Sequence, residues 1–467
     1  MEVHDVADMQ DLKSVEGIEE TNDIHSVDVV EVVDAIEELG DAASPDVAAA
    51  SPLMLAFRHA YGPWDLGFDM CEGCVGEVLS LGASPDGKFI YLSKHVSGLV
   101  VLQVDDKTGL LTQVQVVGLF EGTPEYLVES GRITVSQDGE FVFMNNVDPG
   151  VGVWRRDLTS GKLTFAEAIQ TTKCSGDALG MWDMSVAYAP GGGCLYVGSQ
   201  SGISINKRTP SGDPVFSQSE GFLDVHGTWQ EICPEESDPT EYVTDAVTDL
   251  TVDPSGSLLF AAVNDAEGGR VLAFSLDEDT CDLELLASTV VVAGWWPMGA
   301  GVLALPDGST LLTMGSDSST VLEYHFDVET ASDLYGLKVV DTVGSQEMVT
   351  AIGGTVVDGI SAPTGKQVFF YATDVGGNTD SAPALIVHAM ADDPLSILNF
   401  GPPQFLSGFC GAFSSNWGYP WMTFSVLGLG GNGRFLYTAA AGCRAFLGDV
   451  QPQPMLFVHE LVPVPTP

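Results

Sequence analysis

A chain of 467 residues is long enough for two or three ordinary domains or for one large all-β unit, and its 53 glycines and 25 prolines favour many tight turns over long helices. Its 65 acidic against 17 basic residues leave a formal net charge of -48, which repels phosphate backbones and anionic lipid heads and excludes nucleic acid and bare membrane as partners. No run of about eighteen apolar residues exists to form a transmembrane span.

Residues 1–51 hold fifteen of the acids, Lys13 as their only lysine or arginine, and no aromatic residue. Such a composition cannot bury a core, so the segment reads as a disordered acidic spacer, of the kind that holds a lipoprotein off a surface. Within it, residues 26–40 have the cap, pattern and terminal glycine of one short helix, which alone in water is marginal.

From residue 52 the chain repeats. Seven segments carry a β-run, a turn containing glycine, and a second β-run: SPDGKFIYL, SQDGEFVFM, APGGGCLYV, DPSGSLLFA, LPDGSTLLT, APTGKQVFF and GGNGRFLYT. The aligned glycines are Gly87, Gly139, Gly192, Gly256, Gly308, Gly365 and Gly433, at intervals of 52, 53, 64, 52, 57 and 68 residues. A third run such as GLVVLQVDD and a fourth such as LLTQVQVVG follow each turn, and β-branched and aromatic residues bounded by Gly, Asp and Ser are strand and hairpin signals. Four antiparallel strands per repeat make one blade of a seven-bladed β-propeller over residues 52–463, with 464–467 as a tail. The last repeat ends one strand short. Residues 52–58 (PLMLAFR) are free to supply it against PMLFVHEL, which closes the ring and removes an open edge.

The runs GVGVWRRDLTSGKLTFAEAI and VTDLTVDPSGSLLFAAVND resemble the repeats of YVTN-type, lactonase-like seven-bladed propellers, over roughly residues 52–462. That resemblance implies the fold and, in its enzyme branch, hydrolysis of sugar-acid lactones such as 6-phosphogluconolactone. The branch usually places histidines just ahead of the inner-strand turns; here the comparable stretches contain none. His95, His226, Glu77, Glu129 and Arg132 remain as acid, base or anchor candidates on adjoining segments.

GLGGNG fails as a dinucleotide fingerprint because a β-run rather than a helix follows it, and GISAPTGK fails as a phosphate loop on its spacing. The tryptophans are more informative. Trp64, Trp182, Trp229, Trp295, Trp296, Trp417 and Trp421 are read onto the loops entering each inner strand; Trp154 alone is not. The same loops are read to carry Asp183, Asp245 and Asp249, and indole faces between carboxylates suit a small molecule, either a sugar or a cationic ligand. Tryptophans plugging the channel are the structural alternative. In the acidic loop CPEESDPTEYVTD, Glu235, Glu236 and Asp245, together with nearby Glu231, are candidate oxygen ligands for calcium.

The eight cysteines are even in number and lack zinc-ribbon spacing, which favours disulfides and a secreted or cell-surface protein, with its leader outside this sequence. Cys410 and Cys443 fall on neighbouring loops of the last repeat and are expected to be bridged. Cys174 and Cys233 fall on neighbouring entry loops, Cys71 and Cys74 form a C-x-x-C, and Cys194 and Cys281 have no assigned partner. Three functions stay open: a monomeric exported ligand-binding propeller, a lactonase-type hydrolase, and a scaffold without a small-molecule site.

Overall fold

The chain divides into two units, Met1–Ala50 and Ser51–Pro467. The computed structural model describes residues 53–61, 78–94, 98–117, 130–146, 150–169, 183–199, 202–212, 215–223, 229–231, 246–265, 268–292, 301–306, 310–315, 320–325, 338–343, 355–361, 367–373, 384–389, 399–400, 404–405, 427–439 and 456–463, all of the second unit. The acidic spacer and its short helix lie outside the described residues.

Strand β1 (Leu53–Tyr61) precedes the first repeat. Sheet one is β2 (Val78–Ala83), β3 (Phe89–Lys94), β4 (Gly98–Val104) and β5 (Leu111–Val117); sheet two is β6 (Ser130–Val135), β7 (Phe141–Asn146), β8 (Val151–Arg156) and β9 (Leu163–Ile169). Sheet three is β10 (Asp183–Tyr188), β11 (Cys194–Ser199), β12 (Gly202–Arg208), β13 (Phe216–Leu223) and β14 (Trp229–Glu231). Sheet four is β15 (Ala246–Val252), β16 (Leu258–Asp265), β17 (Gly268–Leu276) and β18 (Leu283–Val292), and sheet five is β19 (Gly301–Ala304), β20 (Thr310–Gly315), β21 (Thr320–His325) and β22 (Lys338–Val343). Sheet six is β23 (Thr355–Ser361), β24 (Gln367–Thr373), β25 (Ala384–Ala389), β26 (Asn399–Phe400) and β27 (Gln404–Phe405); sheet seven is β28 (Leu427–Gly430), β29 (Phe435–Ala439) and β30 (Leu456–Pro463), with β1.

Every pairing is antiparallel, and within each sheet strands pair in chain order as a meander, except that β27 pairs with β25 and β1 with β30. The expectation of four strands per repeat is corrected in two places. Sheet three gains β14, which pairs with β13, and in sheet six the fourth position is split between β26 and β27, both paired with β25. Sheet seven is ordered β28-β29-β30-β1, and β1 runs from Leu53 opposite Pro463 to Tyr61 opposite Leu456.

The innermost strands neighbour one another in the order β2, β6, β10, β15, β19, β23, β28, and β28 returns to β2. A closed ring of inner strands with sheets radiating from it is a β-propeller, and seven sheets are present among the described residues. The core therefore lies between sheets. Phe89, Tyr91 and Val101 of sheet one pack on Val142, Met144 and Trp154 of sheet two, and Tyr196 and Ile203 of sheet three pack on Val247, Leu259 and Phe274 of sheet four.

The repeats also fasten neighbouring sheets by a shared device. The β4–β5 turn is an Asp turn in which Asp105 accepts from the amides of Lys107 and Thr108, and Gly109 ends it at φ +72°. That glycine lies flat on the ring of Phe435 in sheet seven, where a Cβ would overlap the ring, and its carbonyl accepts 2.9 Å from the Tyr437 hydroxyl. Gly161, at φ +70° in the β8–β9 turn, repeats the arrangement on Phe89, with Tyr91 donating to its carbonyl at 3.4 Å. Only glycine meets both conditions, since φ is positive and no room exists for a side chain.

Candidate functional site

Reading down the repeats, the residue seven positions before each repeat glycine is Ser80, Arg132, Ser185, Asp249, Gly301, Asp358 and Val426. Five of these sit at or beside a β-bulge, with register shifts between Val78 and Ser80, Ser130 and Ile133, Asp183 and Ser185, Val247 and Asp249, and Val356 and Asp358. A bulge turns one side chain out of the pleat, and here it aims that side chain at the inner strand of the next sheet.

Wherever the position carries an oxygen, it caps a backbone amide of the following sheet. Ile133 donates to Ser80 Oγ at 3.0 Å, Leu250 to Ser185 Oγ at 2.9 Å, Val302 to an Asp249 carboxylate oxygen at 3.0 Å, and Leu427 to Asp358 at 3.0 Å. These amides belong to innermost strands, which have no further strand on the channel side to accept from them. The ring residues supply that acceptor.

Arg132 breaks the pattern because it can only donate. Its guanidinium forms an ion pair and hydrogen bond with Asp249, two sheets further round the ring. A pair that skips the intervening sheet is made across the interior of the ring, so both side chains line the central channel. Arg132 keeps 19% of its side chain accessible, against 4% for Asp249. Asp249 also accepts from Ser185 Oγ at 2.9 Å and from the Leu250 amide at 2.9 Å. Burial works to lower the Arg132 pKa, but attraction from Asp249 and then from Asp358 outweighs it and holds the guanidinium above its ordinary value. Among the described residues, Arg132 is therefore held by Asp249 in direct contact and drawn at longer range by Asp358.

Of the residues singled out by sequence, Arg132 and Asp249 are brought together. Asp249 is corrected from an entry loop to the interior of β15, because β16 extends to Asp265 and gives the inner strand partners as far as Ala246. Asp183 likewise opens β10 rather than lying in a loop, and Trp229 and Glu231 bound the short strand β14, whose pairing with β13 the polar, aromatic run did not reveal. Trp154, buried between sheets one and two, is structural. Glu77, His95, Glu129, Trp182, His226, Glu235, Glu236, Asp245, Trp296, Trp421, Cys410 and Cys443 lie outside the described residues. Among the described residues no group of three or more His, Cys, Asp or Glu is placed to hold a metal ion.

Sequence reasoning missed Ser80, Ser185 and Asp358, although the fixed offset from the repeat glycine carried the signal. It also missed a disulfide between Cys194 of sheet three and Cys281 of sheet four, whose Cα atoms are 5.4 Å apart across 87 residues of sequence.

No protein-family model matches the chain, and no curated protein sequence does. Among solved structures, a protein assigned as a 6-phosphogluconolactonase from Bacteroides uniformis has a TM-score of 0.51 at 15% identity, over 82% of this chain and 99% of its own. The β-propeller domain of Cps50 (Swd1) from Myceliophteria thermophila has a TM-score of 0.50 at 13% identity, over 83% of this chain and 97% of its own. The likeness is one of fold. It joins this chain to lactonase-like and other propellers alike, and leaves activity to be argued from the channel itself.

Proposed function

We propose that the chain is an exported binding protein whose propeller takes a small neutral or cationic ligand, a sugar or an organic cation, at the mouth of its central channel. The observation that supports this reading is the Arg132–Asp249 pair with Asp358 across the ring. A lactonase acting on an anionic sugar acid needs a free cation to anchor the substrate and a base with a lone pair to take a proton from water. Here the cation at these ring positions is engaged by a carboxylate, and both Asp249 oxygens already accept hydrogen bonds. None of the seven innermost strands contains a histidine. An anionic substrate would meet the carboxylates of Asp249 and Asp358 within a strongly acidic chain, whereas a polyol can bond to the Asp and Ser oxygens and a cation is drawn to them. In this proposal Trp182, Trp229, Trp296 and Trp421 provide stacking faces above that ring, and calcium bound through the Glu231–Asp245 segment is a secondary element of it.

The test is a thermal-shift screen of the full chain against neutral sugars, organic ammonium ions, calcium, lactones and phosphorylated lactones, repeated with Trp229→Ala and Trp296→Ala. A neutral or cationic ligand should raise the melting temperature of the native chain, and the tryptophan variants should lose that rise while keeping the melting temperature of the ligand-free protein. Acid release from a phosphorylated lactone would favour hydrolysis instead. Loss of stability in the variants, with no ligand raising the native melting temperature, would leave a scaffold.

A further inference from the structure

The Cys194–Cys281 disulfide occupies the slot that glycine and phenylalanine fill between other sheets. Cys194 stands two residues after the repeat glycine Gly192, as Phe89 follows Gly87 and Phe435 follows Gly433. Cys281 ends an Asp turn of the same build as those ending in Gly109 and Gly161: Asp277 accepts from the amides of Asp279 and Thr280, both at 2.9 Å, and the Cys281 amide donates to the Asp277 carbonyl at 2.7 Å. Its φ is +66°, against +72° and +70° for the two glycines, in a region that residues with a Cβ rarely adopt. Tyr196, placed as Tyr91 and Tyr437 are, donates to the Cys281 carbonyl at 3.2 Å. Every part of the latch is present except the glycine and the ring, and those two are cysteines.

We infer that the Cys194–Cys281 disulfide is a redox-sensitive replacement for the glycine-on-aromatic latch, so that the seam between sheets three and four is fastened according to oxidation state. The same seam ends at the channel in Ser185, Leu250 and Asp249. Reduction by a dithiol adds two electrons and two protons, converts the one S–S bond to two thiols, and closes the dithiol to its own disulfide. Two reduced cysteines cannot restore the latch, since neither supplies the flat ring and Cys281 keeps a Cβ where the other turns have none. Phenylalanine at 194 with glycine at 281 would rebuild it without sulfur and would relieve the positive φ.

Three forms of the full chain decide the matter: native, Cys194→Ser with Cys281→Ser, and Cys194→Phe with Cys281→Gly. Each is measured with and without dithiothreitol by melting temperature and by hydrogen exchange. Because the other cysteines also meet the reductant, the response of the native chain is read against that of the Phe/Gly pair. Dithiothreitol should lower the native melting temperature by about 5 °C more than that of the Phe/Gly pair. It should also speed exchange of the Leu250 amide in the native chain alone. Without reductant, the Phe/Gly pair should stay close to the native melting temperature and the Ser pair should resemble reduced native protein. A Phe/Gly pair as labile as the Ser pair, or native exchange at Leu250 that dithiothreitol leaves unchanged, would overturn the inference. If the Ser pair fails to fold, the native and Phe/Gly forms still decide it.

Discussion

At the scale of single residues, His459 is a titratable group buried in the described core. It is 2% exposed in β30, and neither ring nitrogen has a hydrogen-bond partner among the described residues. Phe57 of β1 packs edge-on at 6.0 Å, and the carboxylate next in sequence, Glu460, is taken up by Arg58 and Arg434. Burial pushes the imidazole down to about 4. Between pH 6.5 and about 4 the unfolded chain binds a proton that the folded chain refuses, so stability falls as pH falls through that window. Urea denaturation at pH 7 and at pH 4.5 should show the native chain losing about 2 to 3 kcal/mol more than His459→Leu does. At pH 7 the leucine variant should be at least as stable, because it removes two unpaired polar atoms. Equal losses in the two proteins would show that His459 is not protonated on unfolding in this range.

At the scale of elements, β1 closes sheet seven and also reaches sheet one. Its Leu55 and Tyr61 are buried, its Arg58 meets Glu460 of β30, and the Leu111 amide of β5 donates 2.7 Å to the Tyr61 hydroxyl. A chain beginning at residue 62 would expose the edge of β30 as a template for another strand. Against a chain beginning at residue 52, it should melt lower and elute from size exclusion as larger species in proportion to concentration. A monomer of unchanged melting temperature would mean that β1 is dispensable. The apolar run LMLAF and the missing fourth strand of the last repeat made this strand legible, but its eight-rung register, with a shift between Phe57 and His59, follows from β30 and not from local pattern.

At the scale of the whole molecule, charge dominates. Residues 52–467 alone carry a formal net charge of -34, and self-repulsion of that size destabilises a compact state until counter-ions screen it. Raising sodium chloride from about 20 mM to about 500 mM, where the Debye length shrinks from roughly 20 Å to under 5 Å, should raise the melting temperature. A melting temperature that is flat or falls with salt would mean that local pairs such as Arg156–Asp86 and Arg208–Glu140 outweigh the long-range repulsion.

The sequence by itself determined the propeller, because a repeat that places glycine at the turn and a large apolar pair after it dictates strand, turn and strand each time. It also singled out Arg132 and Asp249, the latter as a loop acid. What they do was decided by closure of the ring, which sets residues 117 positions apart against each other across a channel and turns Asp249 from a loop acid into the partner of Arg132. The pairing of Cys194 with Cys281 was decided in the same way. Each cysteine sits where another repeat has phenylalanine or glycine, and only the stacking of one sheet on the next brings those two positions within reach of a bond.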